Sequence, residues 1–362
     1  MWRAGSEKTI EEERRWDVEA VDMVTEPKIE IITLPNSPSI PGLSFRRFRG
    51  ESDIGILASV IQESIDADLF NMVYTPEEIA IEMRHLQNCD PIKDMLFVEV
   101  KGTAVGFCRC EWHERPGSVR TYEHFEHLVP EWRGRGLRHM MLRENERRLR
   151  EIAEGHPRKY AKYFEVGTSF AQNHLKSLVE GEGYKPVRYH FWMVRPNLDN
   201  VPDPHLPEGL EVRPVEPWHH QVIFKACEEA FRDEPNYASD YWTEESLKSV
   251  SESPEFRPEI WQVAWDGDDV AGGVLNFIYP EENRRLNRKW GWTGAIFVRR
   301  PYRNRGLASA LVARSFETLK NEGMSEAALM VDSENPSGAR RLYERMGFRL
   351  FSQYTLYRKP MS

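Results

Sequence analysis

The residues best placed to do chemistry stand in one run, Val298-Arg299-Arg300-Pro301-Tyr302-Arg303-Asn304-Arg305-Gly306-Leu307-Ala308. The stretch before it, Trp292 to Val298, reads as a strand, and Leu311, Val312 and Leu319 after it recur at helical spacing. A strand that delivers the chain to a turn at a helix start points successive backbone N–H groups outward, with the positive end of the helix dipole behind them. Such a socket suits a pyrophosphate. Gly306 lets the backbone come close to the anion, and Ala308 keeps the first helical turn free of bulk. Arg299, Arg300, Arg303 and Arg305 gather positive charge there, which matches a triphosphorylated nucleotide cofactor. Taken alone, the run is also readable as a polar turn capping an amphipathic helix. Other phosphate loops fit less well: Gly-Lys-Ser/Thr is missing, and Gly134-x-Gly136 lacks the third glycine of a dinucleotide fold.

The elements that must position this run occur twice. Leu43-Ser44-Phe45-Arg46 returns as Leu210-Glu211-Val212-Arg213, 167 residues on. The hairpin-like Val98–Val105 returns as Val263–Val270 after 165, Arg133-Gly134-Arg135-Gly136-Leu137 as Arg303–Leu307 after 170, and Gly183-Tyr184 as Gly347-Phe348 after 164. Anchors in the same order at nearly one displacement mark a repeat at domain scale. Each copy reads as strand, helices, strands, a glycine-containing turn, a helix, a strand and a final helix. Met141, Leu142 and Leu149 hold the helix-face positions of Leu311, Val312 and Leu319. Pro196, Pro202, Pro204 and Pro207 cannot continue a helix or a central strand, so 197–207 is read as a linker. Residues 1–40 are expected to form a partly disordered extension, with one strand over Ile29–Ile32.

A second motif follows, Asn335-Pro336-Ser337-Gly338-Ala339-Arg340-Arg341-Leu342-Tyr343-Glu344-Arg345-Met346-Gly347-Phe348. The first motif resembles the Arg/Gln-x-x-Gly-x-Gly/Ala signature of GCN5-related N-acetyltransferases (GNAT). The second resembles that family's Asn-x-x-x-Ala-x-x-Leu-Tyr-x-x-x-Gly-Phe pattern. The resemblance implies an α/β fold written twice, each copy a mixed, mostly antiparallel sheet with a splayed parallel strand pair flanked by helices. It implies acetyl-CoA as co-substrate, held by Arg303, Asn304, Arg305, Gly306, Leu307 and Ala308 at the pyrophosphate. The backbone of Ile296, Phe297 and Val298 would pair with the pantetheine arm, and Asn335 would approach the thioester. Tyr343 would protonate the departing thiolate; a phenol, with a pKa of ~10, is nearly matched to an alkyl thiol. The reaction implied is attack of a primary amine on the thioester in a ternary complex, helped by orientation and by an amide donor of the Trp292–Val298 strand. The run Trp290–Ile296 holds no carboxylate, which leaves Asp233, Glu234 and Asp332 as candidate bases, each expected to be a solvated loop residue. Tandem members of the family include mycothiol synthase-like enzymes, and Val331–Asn335 has that general look.

The domains expected are thus 41–196, a degenerate copy, and 208–362, the catalytic one. The first copy places Arg138 where Ala308 stands, where it either crowds the phosphate or swings outward and pairs with it, and Val179 and Leu175 where Tyr343 and Ala339 stand. Glu123 and Glu126 are read as alternating polar residues of a half-exposed strand, or remnants of a base. The charge of −9, from 49 basic and 58 acidic residues, argues against nucleic acid as partner. No apolar run reaches the ~20 residues of a membrane span, and no signal-peptide core is expected. Cys89, Cys108, Cys110 and Cys227 have no metal-ligand spacing, so neither metal nor disulfide is expected, and a cytoplasmic setting fits. The copies are expected to pack as an internal pseudo-dimer in a monomeric chain acting on a small-molecule or peptide amine. A non-catalytic acyl-CoA-binding regulatory module is the alternative of another class.

Overall fold

In the computed structural model, which describes residues 32–68, 71–201, 205–234, 237–335 and 338–361, the repeat of motifs becomes a repeat of elements. The first series is β1 (Leu43–Arg46), α1 (Ile54–Ala67), α2 (Pro76–Arg84), α3 (Pro91–Asp94), β2 (Met95–Val100), β3 (Thr103–Arg115), β4 (Val119–Leu128), α4 (Leu137–Glu154), β5 (Ala161–Ser169), α5 (Asn173–Gly181) and β6 (Lys185–Arg195). The second is β7 (Glu211–Val212), α6 (His220–Phe231), α7 (Glu244–Glu252), β8 (Gln262–Asp266), β9 (Asp269–Phe277), α8 (Pro280–Arg285), β10 (Trp290–Val298), α9 (Leu307–Asn321), β11 (Glu326–Asp332), α10 (Ala339–Arg345) and β12 (Arg349–Pro360). Most of the stretch expected as a strand over Ile29–Ile32, together with Pro202 and Pro204 of the linker, lies outside the described residues.

Local chemistry sets these elements. Thr75 caps α2 in a reciprocal capping box with Glu78, and Pro76 occupies the first turn, where no N–H is needed. α9 buries Leu307, Leu311, Val312, Phe316 and Leu319 against the sheet, and α4 buries Leu137, Met141, Leu142 and Leu149 at the corresponding positions. α9 ends where Gly323 enters the left-handed region (φ 83°) and the Met324 amide bonds back to the Leu319 carbonyl. The four cysteines are free thiols, and all but Cys89 are buried.

The twelve described strands form one sheet, in the order β1-β2-β3-β4-β5-β12-β6-β11-β10-β9-β8-β7. The centre of that order is an exchange. β12, the last strand of the second series, pairs with β5 of the first, Tyr354 opposite Ser169 through Pro360 opposite Tyr163. β6, the last strand of the first series, pairs with β11, Ala327 opposite Arg195 through Asp332 opposite His190. β6 and β12 also pair with each other, so each half supplies the strand that completes its partner. Within each half one parallel pair opens: β4 and β5 pair only over Val119–Glu123, and β10 and β11 only over Trp290–Trp292.

Candidate functional site

Beyond Trp292, β10 keeps its partner on one side only. Its antiparallel pairing with β9 runs on to Val298 opposite Gly272, but with a one-residue bulge between Thr293 and Ile296. The bulge turns Gly294 and Ala295 out of the ladder. The edges of Ile296, Phe297 and Val298 and of Met330, Val331 and Asp332 therefore face each other across a gap, the divergence that the family resemblance implies. A cleft of about 820 Å³ fills that gap and runs down to the start of α9.

The loop at its foot is built by backbone geometry. Asn304 has φ 60° and Gly306 φ 86°, a left-handed conformation that glycine adopts without strain. The first intrahelical bond runs from the Ala310 amide to the Gly306 carbonyl. The first-turn amides of Leu307, Ala308 and Ser309 have no intrahelical acceptor and form an anion socket. A Cβ at Gly306 would meet nothing within 4 Å, so the approach is open. The arginines do something other than line that socket. Arg303 donates to Asp233 Oδ2 (2.6 Å), the Ala230 carbonyl (3.1 Å) and the Val298 carbonyl (2.9 Å), pinning the loop to the end of α6. Arg300 also pairs with Asp233, Arg299 bonds Glu229 (2.9 Å), and Arg305 lies outside the cleft against the Glu208 carbonyl. The cleft thus brings together Ile296, Phe297, Val298, Arg303, Asn304, Gly306, Leu307, Ala308, Asn335 and Tyr343, and leaves out Arg305.

At the other end stand the titratable groups. Tyr343, on α10, is buried (6% exposed), its ring edge-on to Phe348. No hydrogen bond to its hydroxyl is found among the described residues, and burial, then the Glu234 charge, holds its pKa well above the ordinary phenol value. Glu234 accepts from Asn335 Nδ2 (2.7 Å). Burial and the neighbouring Asp332 raise its carboxyl above the usual range. Asp233, clamped by Arg300 and Arg303, is driven far below it. Asp332 is buried (9% exposed) and paired with Arg188, so the expectation of three solvated loop residues fails. Arg188 belongs to β6, the exchanged strand, and the sequence carries no sign that it reaches this wall. Pro336 and Ser337 of the second motif lie outside the described residues.

The first half repeats the scaffold and closes the site. Arg133 donates to Asp68 Oδ1 (2.8 Å) and the Ser64 carbonyl (2.8 Å), the counterpart of the Arg303 pin. β3 and β4 pair without a bulge from Gly106 opposite Leu128 to Arg115 opposite Val119. Arg138 turns inward (7% exposed) against His174, and a Cβ at Gly136 would stand 3.3 Å from the Pro38 ring. Leu175 and Val179 are buried among apolar neighbours. The remaining cavity is about 210 Å³. Glu123 and Glu126, expected on a half-exposed strand, are buried at 9% and 6% exposure: Glu126 accepts from Asn145 of α4 and lies against His124, and Glu123 lies beside His113, which Asp240 of the second half covers.

The splayed parallel pair and the glycine-opened helix start occur in both halves, whereas the bulge lies on β10 and has no counterpart in the β3–β4 ladder. Residues 223–348 match the Acetyltransferase (GNAT) family. The structure superposes on a GCN5-related N-acetyltransferase from Sphaerobacter thermophilus with a TM-score of 0.65 and 26% identity, covering 91% of this chain and 97% of that one. It also superposes on a tandem GNAT protein from the clavulanic acid biosynthesis pathway (TM-score 0.62, 13% identity, covering 88% and 98%), a likeness of fold. The second half thus carries the match to that family, and the whole chain has the fold of the tandem protein. Among curated proteins it is similar to the mycothiol acetyltransferase of Thermobispora bispora, 31% identical over 186 residues, and to that of Geodermatophilus obscurus, 27% identical over 260 residues. The matched segments are 50% and 71% of this chain, and 61% and 79% of those proteins.

Proposed function

We propose that the chain transfers an acetyl group from acetyl-CoA to a primary amine, in the cleft of its second half. The observation that carries this is the cleft itself: an unpaired strand edge at Ile296–Val298, an open anion socket at Leu307–Ser309 and a buried phenol at Tyr343 face one volume. These residues suit acetyl-CoA. The socket amides would hold its pyrophosphate, the β10 edge its pantetheine arm by strand-like pairing, and Asn335 would lie toward the thioester. Bound there, acetyl-CoA supplies an activated acyl group.

The chain's own residues do the rest. Glu234, with its raised carboxyl, is the base that takes a proton from the amine, directly or through one water. Arg300 and Arg303 withdraw Asp233 from that task. The bulge takes Gly294 and Ala295 out of the ladder, and one of their amides would donate to the negative charge that develops on oxygen. Tyr343 keeps its proton at neutral pH and holds it at Oη, ready for a departing thiolate. The closed cleft of the first half leaves one productive site per chain, with domains at 41–196 and 208–362 and a linker over 197–207.

The acceptor is a small-molecule or peptide amine. A narrower reading, mycothiol acetyltransferase, is favoured by the two curated relatives of that name. Thiol release from acetyl-CoA, measured against amino sugars, polyamines, aminoglycosides and peptides, tests the proposal. Acceptor-dependent release is expected; binding of acetyl-CoA without release for any acceptor would leave a non-catalytic binding module.

A further inference from the structure

A second cluster lies on the first half, away from the cleft. The unbroken β3–β4 register sets Glu111 directly across from Glu123, and His113, two residues further along β3, shares their face. Like charges directly opposite in a sheet repel. The neighbouring cations are engaged elsewhere: Arg109 bonds Glu82 and lies 3.6 Å from Glu111 Oε2, and Arg115 reaches Thr121 and Glu165. The Glu123 side chain is 12% exposed. Among the described residues it accepts no hydrogen bond, and its ion-pair contact is with His113 Nε2, 3.7 Å from its Oε2.

The imidazole is oriented from behind. Its Nδ1 stands 2.8 Å from Asp240 Oδ2, and Asn88 Nδ2 donates to the same oxygen (2.7 Å). Nε2 stands 3.1 Å from Glu111 Oε1, to which the protonated ring donates, and 3.7 Å from Glu123 Oε2; an ion bound there would replace that proton, the ring keeping its other one on Nδ1. A carboxylate behind one ring nitrogen and oxygen ligands before the other is how metal-binding histidines are held. The three donor atoms lie within 4.8 Å of one another, a triangle that an ion with bonds of about 2.0–2.2 Å spans with small adjustments. Glu111, His113 and Asp240 also line a cavity of about 400 Å³ between α2, β3 and α7, which gives an ion a route in.

We propose that Glu111, His113 and Glu123 bind a divalent cation of the zinc or manganese class, with Asp240 as the positioning residue for the imidazole. One nitrogen and two carboxylate donors suit such ions. Asp240 comes from the second half, so the ion ties the β3–β4 pair to the Ser239–Tyr241 turn across the two halves.

The test uses the full chain, stripped with a chelator and titrated calorimetrically with ZnCl₂ and, separately, MnCl₂, with metal content counted after gel filtration. One ion per chain is expected for at least one of the two metals. Asp240→Asn leaves all three ligands in place and should weaken binding about 10–100-fold. Glu123→Gln, checked for folding by circular dichroism, should weaken it at least as much. No uptake of either metal by the wild type, or uptake unchanged in Asp240→Asn, overturns the proposal and leaves an imidazolium held between carboxylates. Both of those outcomes are read without Glu123→Gln, so they decide the matter even if that variant fails to fold.

Discussion

Tyr343 and Glu234 face one cleft with opposite protonic characters, and each predicts a separable effect. Tyr343→Phe keeps the ring and its contact with Phe348 but deletes the proton. Turnover should fall by about 10²–10⁴, with acetyl-CoA affinity nearly unchanged in calorimetry. Full activity would reduce Tyr343 to packing. For Glu234 the active form of a base is the deprotonated one, and burial together with Asp332 raises its pKa. The rate kcat/KM should therefore drop as pH falls through a value above the ordinary carboxylate range. Glu234→Gln should lower the rate and abolish that acidic limb; an unchanged profile would assign the base to another group. Tyr343 was legible in sequence because its whole motif is local. Glu234 was only one of three candidates, since ranking them needed the clamp of Arg300 and Arg303 on Asp233, and the charge run itself read as phosphate-facing. The Glu111–His113–Glu123 cluster was not legible at all. Only Glu-x-His is local; Glu123 arrives by strand register and Asp240 from the other half.

Among the elements, the two phosphate loops form a natural control for each other. Gly306 and Gly136 share nearly the same conformation, φ 86° and 82°, so a glutamate strains both backbones alike. Gly306→Glu places a carboxylate at the open socket and should abolish turnover. Gly136→Glu lies under Pro38, beside a cleft already filled by Arg138, and should leave turnover within about twofold. Equal losses would mean that the effect is strain rather than chemistry. The helix faces of α4 and α9 followed from periodicity and the divergence of β10 from β11 from the family resemblance, whereas β6 and β12 lie beyond the final helix, at which the sequence reading of each copy ends. The bulge at Gly294 and Ala295 was not legible, because one extra residue in a ladder has no compositional mark beyond a glycine.

The whole molecule is held by the strand exchange at its centre. β6 completes the second half and β12 the first, so neither half owns a full sheet. Removing residues 1–200 would strip β6 from β11 and bare an unpaired strand edge. The remaining fragment should be insoluble alone, and co-expression with 1–200 should restore a soluble, acetyl-CoA-binding complex. A soluble, active 201–362 fragment would contradict the exchange. Internal repetition told of two copies but not of their trade, since the sequence reading of each copy ends at its final helix, before the exchanged strands β6 and β12.

The central claim, one productive cofactor site per chain and that site in the second half, is tested most directly by the stoichiometry of acetyl-CoA binding. Calorimetric titration of the full chain, of Gly306→Glu and of Gly136→Glu should give one site, none and one. Two sites in the wild type, or binding that survives Gly306→Glu and disappears with Gly136→Glu, would contradict the account.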